Sequence, residues 1–221
     1  MRALFEVVTA ITDDTKRRLT TAANVRAMIG SASSDDAVLE TLISRASAAF
    51  ATYCKLAKDA KGTPPSFGEE SLRATYAAVR HRDDRATDLV LPWRPAITAI
   101  TSVVENGVSL VAGTDYQLKS GGILERLYSD RETRWRPEKI VVEYTAGWEL
   151  PGNVPADIEA AAIDQVKYMW SARERDPSIR SENVPDVYQV SFNYPGGSSI
   201  GDSGLLISVE AALVAYRDWS V

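Results

Sequence analysis

Lys139-Ile140-Val141-Val142-Glu143-Tyr144-Thr145 is the most strand-like run in this chain. Its β-branched residues are stiff at χ1 and fit a pleated surface better than a helix. More extended runs precede it. Asp88-Leu89-Val90-Leu91 and Ile97 to Val104 read as strands. Asn106-Gly107 is a two-residue turn signal between Val103-Val104 and Val108 to Val111, because both residues tolerate positive φ. Tyr116-Gln117-Leu118 leads through Gly121-Gly122 into Ile123-Leu124-Glu125-Arg126-Leu127-Tyr128. Ser71 to Val79 joins them on the strength of these neighbours. Pro92, Pro95 and Pro137 fall at strand ends, where a missing N–H matters least. The reading is a small, mostly antiparallel β section over residues 62–152.

Helical periodicity takes over on both sides. Ser33, Ser34 and Asp35 offer caps, and Leu39, Leu42, Ile43, Ala46, Phe50, Tyr53 and Ala57 recur at three- and four-residue steps. That stripe predicts a helix over 35–57. Pro155 with Asp157 and Glu159 opens a second helix, over 155–174, with Ile158, Ala161, Ala162, Val166, Met169 and Trp170 on one face. Each stripe must be covered, so the two helices are expected to pack together. A shorter helix before Gly30 and an extended lead-in at Leu4 to Ile11 precede them. After Pro177, Val187 to Phe192 alternates like a strand, and Leu205 to Tyr216 reads as a last short helix. The expected class is α+β: a helical bundle core with an inserted small antiparallel β section and a C-terminal docking helix. The expected organisation is 1–61 for the lead-in and first helices, 62–152 for the β insertion, 153–177 for the core helix completing the bundle, and 178–221 for the tail and docking helix.

Composition narrows the function. A chain of 221 residues with 45% hydrophobic and 25% charged residues has ordinary globular values and room for a core. One Cys and one His exclude a disulfide framework, a Cys/His zinc site and a haem-attachment motif. The net charge of −5 argues against a protein whose main work is gripping phosphates. No apolar run reaches membrane-spanning length, and Met1 to Glu6 lacks a secretory pattern, so neither membrane nor export is expected. The single Cys54 fits a reducing compartment.

The motifs that look catalytic lack their partners. Gly201-Asp202-Ser203-Gly204 matches part of a serine-protease nucleophile loop, but that chemistry needs a His base and a buried Asp. The one His, His81, lies among Arg82, Asp83, Asp84 and Arg85, a solvated setting. His81-Arg82-Asp83 shares three letters with a kinase catalytic loop, without the Gly-rich loop or the metal-binding Asp. Cys54 sits on a helix beside Phe50 and Tyr53 and reads as a small buried hydrophobe rather than a nucleophile. No catalytic residue, cofactor or metal is expected. The one basic run, Arg131-Glu132-Thr133-Arg134-Trp135-Arg136, reads as a solvated loop, with DNA or an acidic partner as the sharper option.

The ordered set of segments resembles the head–tail connector (adaptor) family of tailed bacteriophages and related gene-transfer particles. The resemblance is carried by Leu19-Thr20-Thr21-Ala22-Ala23-Asn24-Val25-Arg26-Ala27-Met28-Ile29-Gly30 and then by Asp35 through Tyr53. Leu89-Val90-Leu91-Pro92-Trp93-Arg94-Pro95 and Ile97 to Val103 follow, then Val142-Glu143-Tyr144-Thr145-Ala146-Gly147-Trp148 ahead of Val154 to Ala161. Arg173-Glu174-Arg175-Asp176 and Leu213-Val214-Ala215-Tyr216-Arg217 complete it. The match covers most of residues 19–217 and fits less well before Leu19 and around Tyr194 to Gly204.

The resemblance implies a structural protein of the virion neck, present in the host cytoplasm during assembly. It implies a homo-oligomeric ring, typically of twelve subunits, under the portal protein. The ring extends the DNA channel, lets genome DNA pass without sequence-specific binding, and offers a platform to a stopper or tail-completion protein. Because C-terminal segments of such adaptors usually engage the portal, Leu205, Leu206, Val209, Leu213, Tyr216 and Trp219 are the expected contacts with the portal or a neighbouring subunit. The alternative is a DNA-binding or packaging accessory protein acting through Arg131, Arg134 and Arg136.

Overall fold

The structure is a computed structural model that describes residues 3–58, 60–77, 88–92, 94, 96–136, 138–173, 181–184, 188–191 and 200–217. His81 and its charged neighbours, Trp93, Pro95, Pro137, Arg175, Val187, the 192–199 stretch and Trp219 lie outside the described residues. The chain divides into two compact units. One holds residues 1–13 and 56–148, the other 14–55 and 149–221.

The regular structure described in the first unit is β apart from one 3-10 turn at Ser120–Gly122. Its strands are β1 (Ala3–Thr9), β2 (Glu70–Tyr76), β3 (Asp88–Val90), β4 (Ile97–Glu105), β5 (Val108–Ser109), β6 (Tyr116–Lys119), β7 (Ile123–Tyr128), β8 (Arg131–Thr133) and β9 (Ile140–Ala146). The run that opened the sequence reading, now β9, is the central strand of a five-stranded antiparallel sheet ordered β1-β2-β9-β4-β5. Its side chains alternate, with Ile140, Val142, Tyr144 and Ala146 buried. On β2, Leu72, Ala74 and Tyr76 stand opposite Tyr144, Val142 and Ile140 and are buried on the same face. A slip of one residue would turn both sets to the other face, so this register is strongly specified.

A second antiparallel sheet is built on β7, with β6 along one edge and β3 and then β8 along the other. Both sheets feed one core, in which Leu89, Leu124 and Trp135 meet Leu72, Val103 and Val142. Two tyrosines tie the layers together. The Tyr76 hydroxyl donates to the Val90 carbonyl at 2.6 Å, and that of Tyr144 to the Pro92 carbonyl at 3.3 Å.

The second unit is mainly helical: α1 (Ala22–Ile29), α2 (Asp36–Tyr53), α3 (Ala156–Arg173) and α4 (Ile207–Leu213), with a hairpin of β10 (Ser181–Val184) and β11 (Tyr188–Ser191). Thr21 caps α1 by accepting from the Asn24 N–H at 3.2 Å. Gly30 ends it at φ 70°, the left-handed conformation that glycine adopts without strain. Of the predicted α2 stripe, Leu39, Leu42, Ile43, Ala46 and Phe50 are buried, while the helix ends at Tyr53, so Ala57 lies beyond it and in the other unit. Leu39, Leu42, Ile43 and Ala46 pack with Val25 of α1 and with Ile163 and Val166 of α3.

The expected class, a helical bundle core carrying a small β insertion, is overturned. The strands predominate. A five-stranded and a four-stranded sheet share a core of their own, larger than the α1–α3 cluster. Two physical facts account for the error. Long amphipathic helices carry a periodic signal over many turns, while each short strand carries only a few residues of signal. The sheet also recruits Leu4 to Thr9 from the N-terminus, a pairing of β1 with β2 across more than sixty residues that no local pattern announces.

Candidate functional site

Two surface features come from the residues singled out in the sequence, and a third does not. The first is the C-terminal segment. Its approach is a compact turn: the Gly201 N–H donates to the Leu205 carbonyl at 2.8 Å, and the Gly204 N–H to the Gly201 carbonyl at 3.0 Å. The Ser203 hydroxyl donates to Glu210 and accepts from the Leu205 N–H. The serine of the protease-like tetrad is thus a turn residue bound to a carboxylate.

The structure places Leu205, Val209 and Leu213 inside their own unit, each 2% exposed or less. The Leu206 N–H donates to Gln165 Oε1 on α3 at 3.0 Å, and the Tyr216 hydroxyl donates to the Asp157 carboxylate at 3.0 and 3.1 Å. Leu206 and Tyr216 are partly buried. Cys54 is fully buried, and its thiol donates to the Leu213 carbonyl at 3.8 Å. Burial pushes that thiol up to about 12, although the Arg217 cation pulls the other way, so the thiolate a nucleophile needs is not formed near neutral pH. The outward residues of the segment are ones the sequence reading passed over, Ile207 and Val214. Their signal was present: Glu210 is the only charged residue of α4.

The second feature is the basic run. It is not simply a loop. Arg131–Thr133 form β8, joined to β7 by a two-residue turn in which Ser129 and Asp130 both have positive φ. Trp135 then turns inward, fully buried, and donates its indole N–H to the Leu124 carbonyl at 3.1 Å. Glu105 anchors the run by accepting from the Arg136 backbone N–H at 3.0 Å, while its other oxygen meets Arg126 at 3.2 Å. Arg131, Arg134 and Arg136 are exposed, and their side chains make no ion pair among the described residues. Arg134 and Arg136 flank the buried indole. Glu132, between Arg131 and Arg134, is paired with Lys119 at 3.2 Å.

The third feature was not read from the sequence. An apolar groove of about 630 Å³ lies between α2 and α3, lined by Val38, Leu42, Met169 and Ala172, with Arg45 and Arg173 as its charged residues. The helical stripes explain the omission. Leu42 and Met169 belong to them, but Val38 and Ala172 lie beside them, at positions that count as surface on a helical wheel. Among the described residues, no group of three His, Cys, Asp or Glu is placed to hold a metal ion. No described helix is long and apolar enough to cross a membrane.

Two units, one of sheets and one mainly of helices, in which Cys54, Ser203 and Glu105 are engaged in turns and buried bonds, define a mixed α/β protein of faces and hairpins. The chain belongs to the head completion protein family, whose model matches residues 18–182. No curated protein matches it in sequence. Its fold is shared with solved chains of gene transfer agent (GTA) particles. One is from the neck of a native particle computed with C12 symmetry, 15% identical over 100% of this chain and 97% of that one, with a TM-score of 0.53. A second is from the neck of an empty particle computed with C6 symmetry, 17% identical over 98% and 96%, with a TM-score of 0.53. A third is from the virion of a native particle, 15% identical over 99% and 97%, with a TM-score of 0.55.

Proposed function

We propose that this chain is a structural head–tail adaptor of a virion or a gene-transfer particle. In that role it is a ring subunit beneath the portal, extends the DNA channel and offers the platform for a stopper or tail-completion protein. The observation that carries the reading is family membership over residues 18–182, joined to a fold shared along the whole chain with the neck of a particle computed with C12 symmetry. A net charge of −5 suits a conduit, since DNA must pass without adhering. The role is a non-catalytic one. Supporting this, the Cys54 thiol is buried and protonated, and the Ser203 hydroxyl is held by Glu210.

The C-terminal segment meets its partner, portal or neighbour, with the face its own unit leaves open, while Leu205, Val209 and Leu213 hold it in place. A second reading, a DNA-binding or packaging accessory protein, is favoured by one observation: the three exposed arginines around Trp135. Salt dependence separates the two, because a phosphate binder loses affinity steeply as salt rises.

The deciding experiment is imaging of particles assembled without this chain. DNA-filled or leaking heads beside unattached tails are expected. Normally joined particles overturn the reading.

A further inference from the structure

The last helix is apolar on two sides. From Ile207 to Tyr216 the chain reads Ile-Ser-Val-Glu-Ala-Ala-Leu-Val-Ala-Tyr. Val209 and Leu213 fill their own unit, yet Ile207, Ala211 and Val214, spaced four and three residues apart, all lie exposed; Ile207 is 48% exposed and Val214 44%. A helix with apolar residues on a second, open side has surface to bury against something else. The same unit carries a second open apolar surface, the α2/α3 groove, where Val38 is 38% exposed.

The charges of the two surfaces are opposite. Among the described residues that line the groove, the charged ones are Arg45 and Arg173. Among the described residues of the segment, 200–217, Asp202 and Glu210 stand against one cation, Arg217, whose guanidinium lies over the Tyr53 ring of its own unit, 5.2 Å from the centroid. One chain therefore presents an apolar ridge on a segment of slight negative charge and an apolar groove with arginines at its border, which makes it complementary to a copy of itself.

We propose that the Ile207–Ala211–Val214 face of one subunit seats in the α2/α3 groove of the next. The contact is head-to-tail. Each subunit spends its ridge on one neighbour and its groove on the other, so the contact propagates and closes into a ring when the rotation per step allows it. The buried Leu205, Val209 and Leu213 stay where they are, and the segment does not have to leave its own unit. The inference rests on the ring reading above and names the joint within it.

The test is sedimentation velocity on the full chain, in a concentration series reaching about 1 mM, with millimolar affinity as the weakest contact detected. The wild-type chain is expected to associate. Val214→Asp spoils the ridge and Val38→Asp the groove. Both sites are exposed, so circular dichroism and melting should be unchanged. Each variant alone should associate more weakly, by roughly tenfold or more. An equimolar mixture should form a one-to-one dimer and stop there, since one variant keeps its groove and the other its ridge. Val108→Asp, at an exposed site in the other unit, should associate like the wild type.

The proposal is overturned if the wild type stays monomeric throughout, if the mixture is no more associated than its components, or if Val38→Asp behaves as wild type. That last result is the one expected if the groove receives the portal or another part of the same chain. None of these failures touches the neck reading, which fails only if particles join normally without the chain.

Discussion

The backbone of Gly147 lies so close to that of Gly68 that a Cβ on Gly147 would stand 2.1 Å from the Gly68 carbonyl oxygen. Gly147 also has φ 125°, where side chains are strained whatever the space. The approach is fixed by two bonds of its neighbour. The Trp148 N–H donates to the Phe67 carbonyl at 2.8 Å, and the Glu69 N–H to the Trp148 carbonyl at 3.0 Å. The rings of Phe67 and Trp148 stack with centroids 5.3 Å apart. Gly147→Ala is therefore expected to destabilise the sheet unit by about 3 kcal/mol or more, from backbone strain and the clash together. Urea denaturation followed by Trp fluorescence measures this, and an unchanged midpoint would contradict the close approach.

Arg94 and Glu70 form an ion pair, 3.5 Å apart, with both side chains 1% exposed. The guanidinium also donates to the carbonyls of Ser66 at 2.7 Å and Ala57 at 2.9 Å. A buried pair is of doubtful net worth, but breaking one strands the other charge. Arg94→Met alone is expected to lose about 3–5 kcal/mol. The double variant Arg94→Met/Glu70→Leu should lose clearly less than the sum of the two single changes. Additive losses in a double-mutant cycle would show that the two side chains act independently.

The elements read correctly are those whose signal is local. The run from Lys139 to Thr145 alternates and is β-branched, Asn106-Gly107 forms the turn it predicts, and the α2 stripe faces the core. What was missed depends on partners far away in sequence or on the backbone alone. β8 consists of Arg131, Glu132 and Thr133, which have no apolar alternation; its pairing follows from the positive φ of Ser129 and Asp130. Nothing local in the sequence marks Glu70 as the buried partner of Arg94. Of the candidate contacts, Leu205, Val209 and Leu213 were found by periodicity, which identifies an apolar face but not what it packs against. The outward Ile207 and Val214 were overlooked because a stripe is sought as one face, and this helix has two.

The exposed arginines separate the two functional readings. At physiological salt the chain is expected to bind duplex DNA with a dissociation constant weaker than about 10⁻⁴ M, the weak end of non-specific binding. Arg131→Gln, Arg134→Gln and Arg136→Gln combined should leave that value unchanged. Fluorescence anisotropy with a labelled duplex provides the measurement. Tight binding that collapses with salt and is lost in the triple variant would favour the packaging role.

Alkaline pH tests the burial of Cys54. Its thiol ionises near 9 when free and is pushed up to about 12 in the fold. The raised value favours the protonated form, so this contribution to stability is complete below about pH 9 and is lost as pH rises toward about 12. Over that window one proton corresponds to a slope of about 1.4 kcal/mol per pH unit. Burial also holds Tyr76 and Tyr144 above the usual tyrosine range, which adds to the slope above pH 10. Cys54→Ala should therefore flatten the decline between pH 9 and 10, where the tyrosines contribute least. An identical slope in both proteins would mean that the thiol is accessible in the folded state.

Leu213 and Tyr216 hold the C-terminal segment by different physics, and their replacement should separate the two. Leu213 is fully buried, so Leu213→Ala leaves a cavity and is expected to cost about 2–5 kcal/mol. Tyr216 is half-buried and binds Asp157 through its hydroxyl, so Tyr216→Phe keeps the ring and should cost about 1 kcal/mol. Because the chain has two units, the loss is best followed by hydrogen exchange of α3, which α4 covers, alongside the global melt. Leu213→Ala should raise exchange at Ile158 to Val166 and leave β9 protected. If Leu213→Ala proved as mild as Tyr216→Phe, with α3 still protected, the last helix would not be part of its own unit's core, and the ridge proposed for the subunit contact would lose the support that holds it in place.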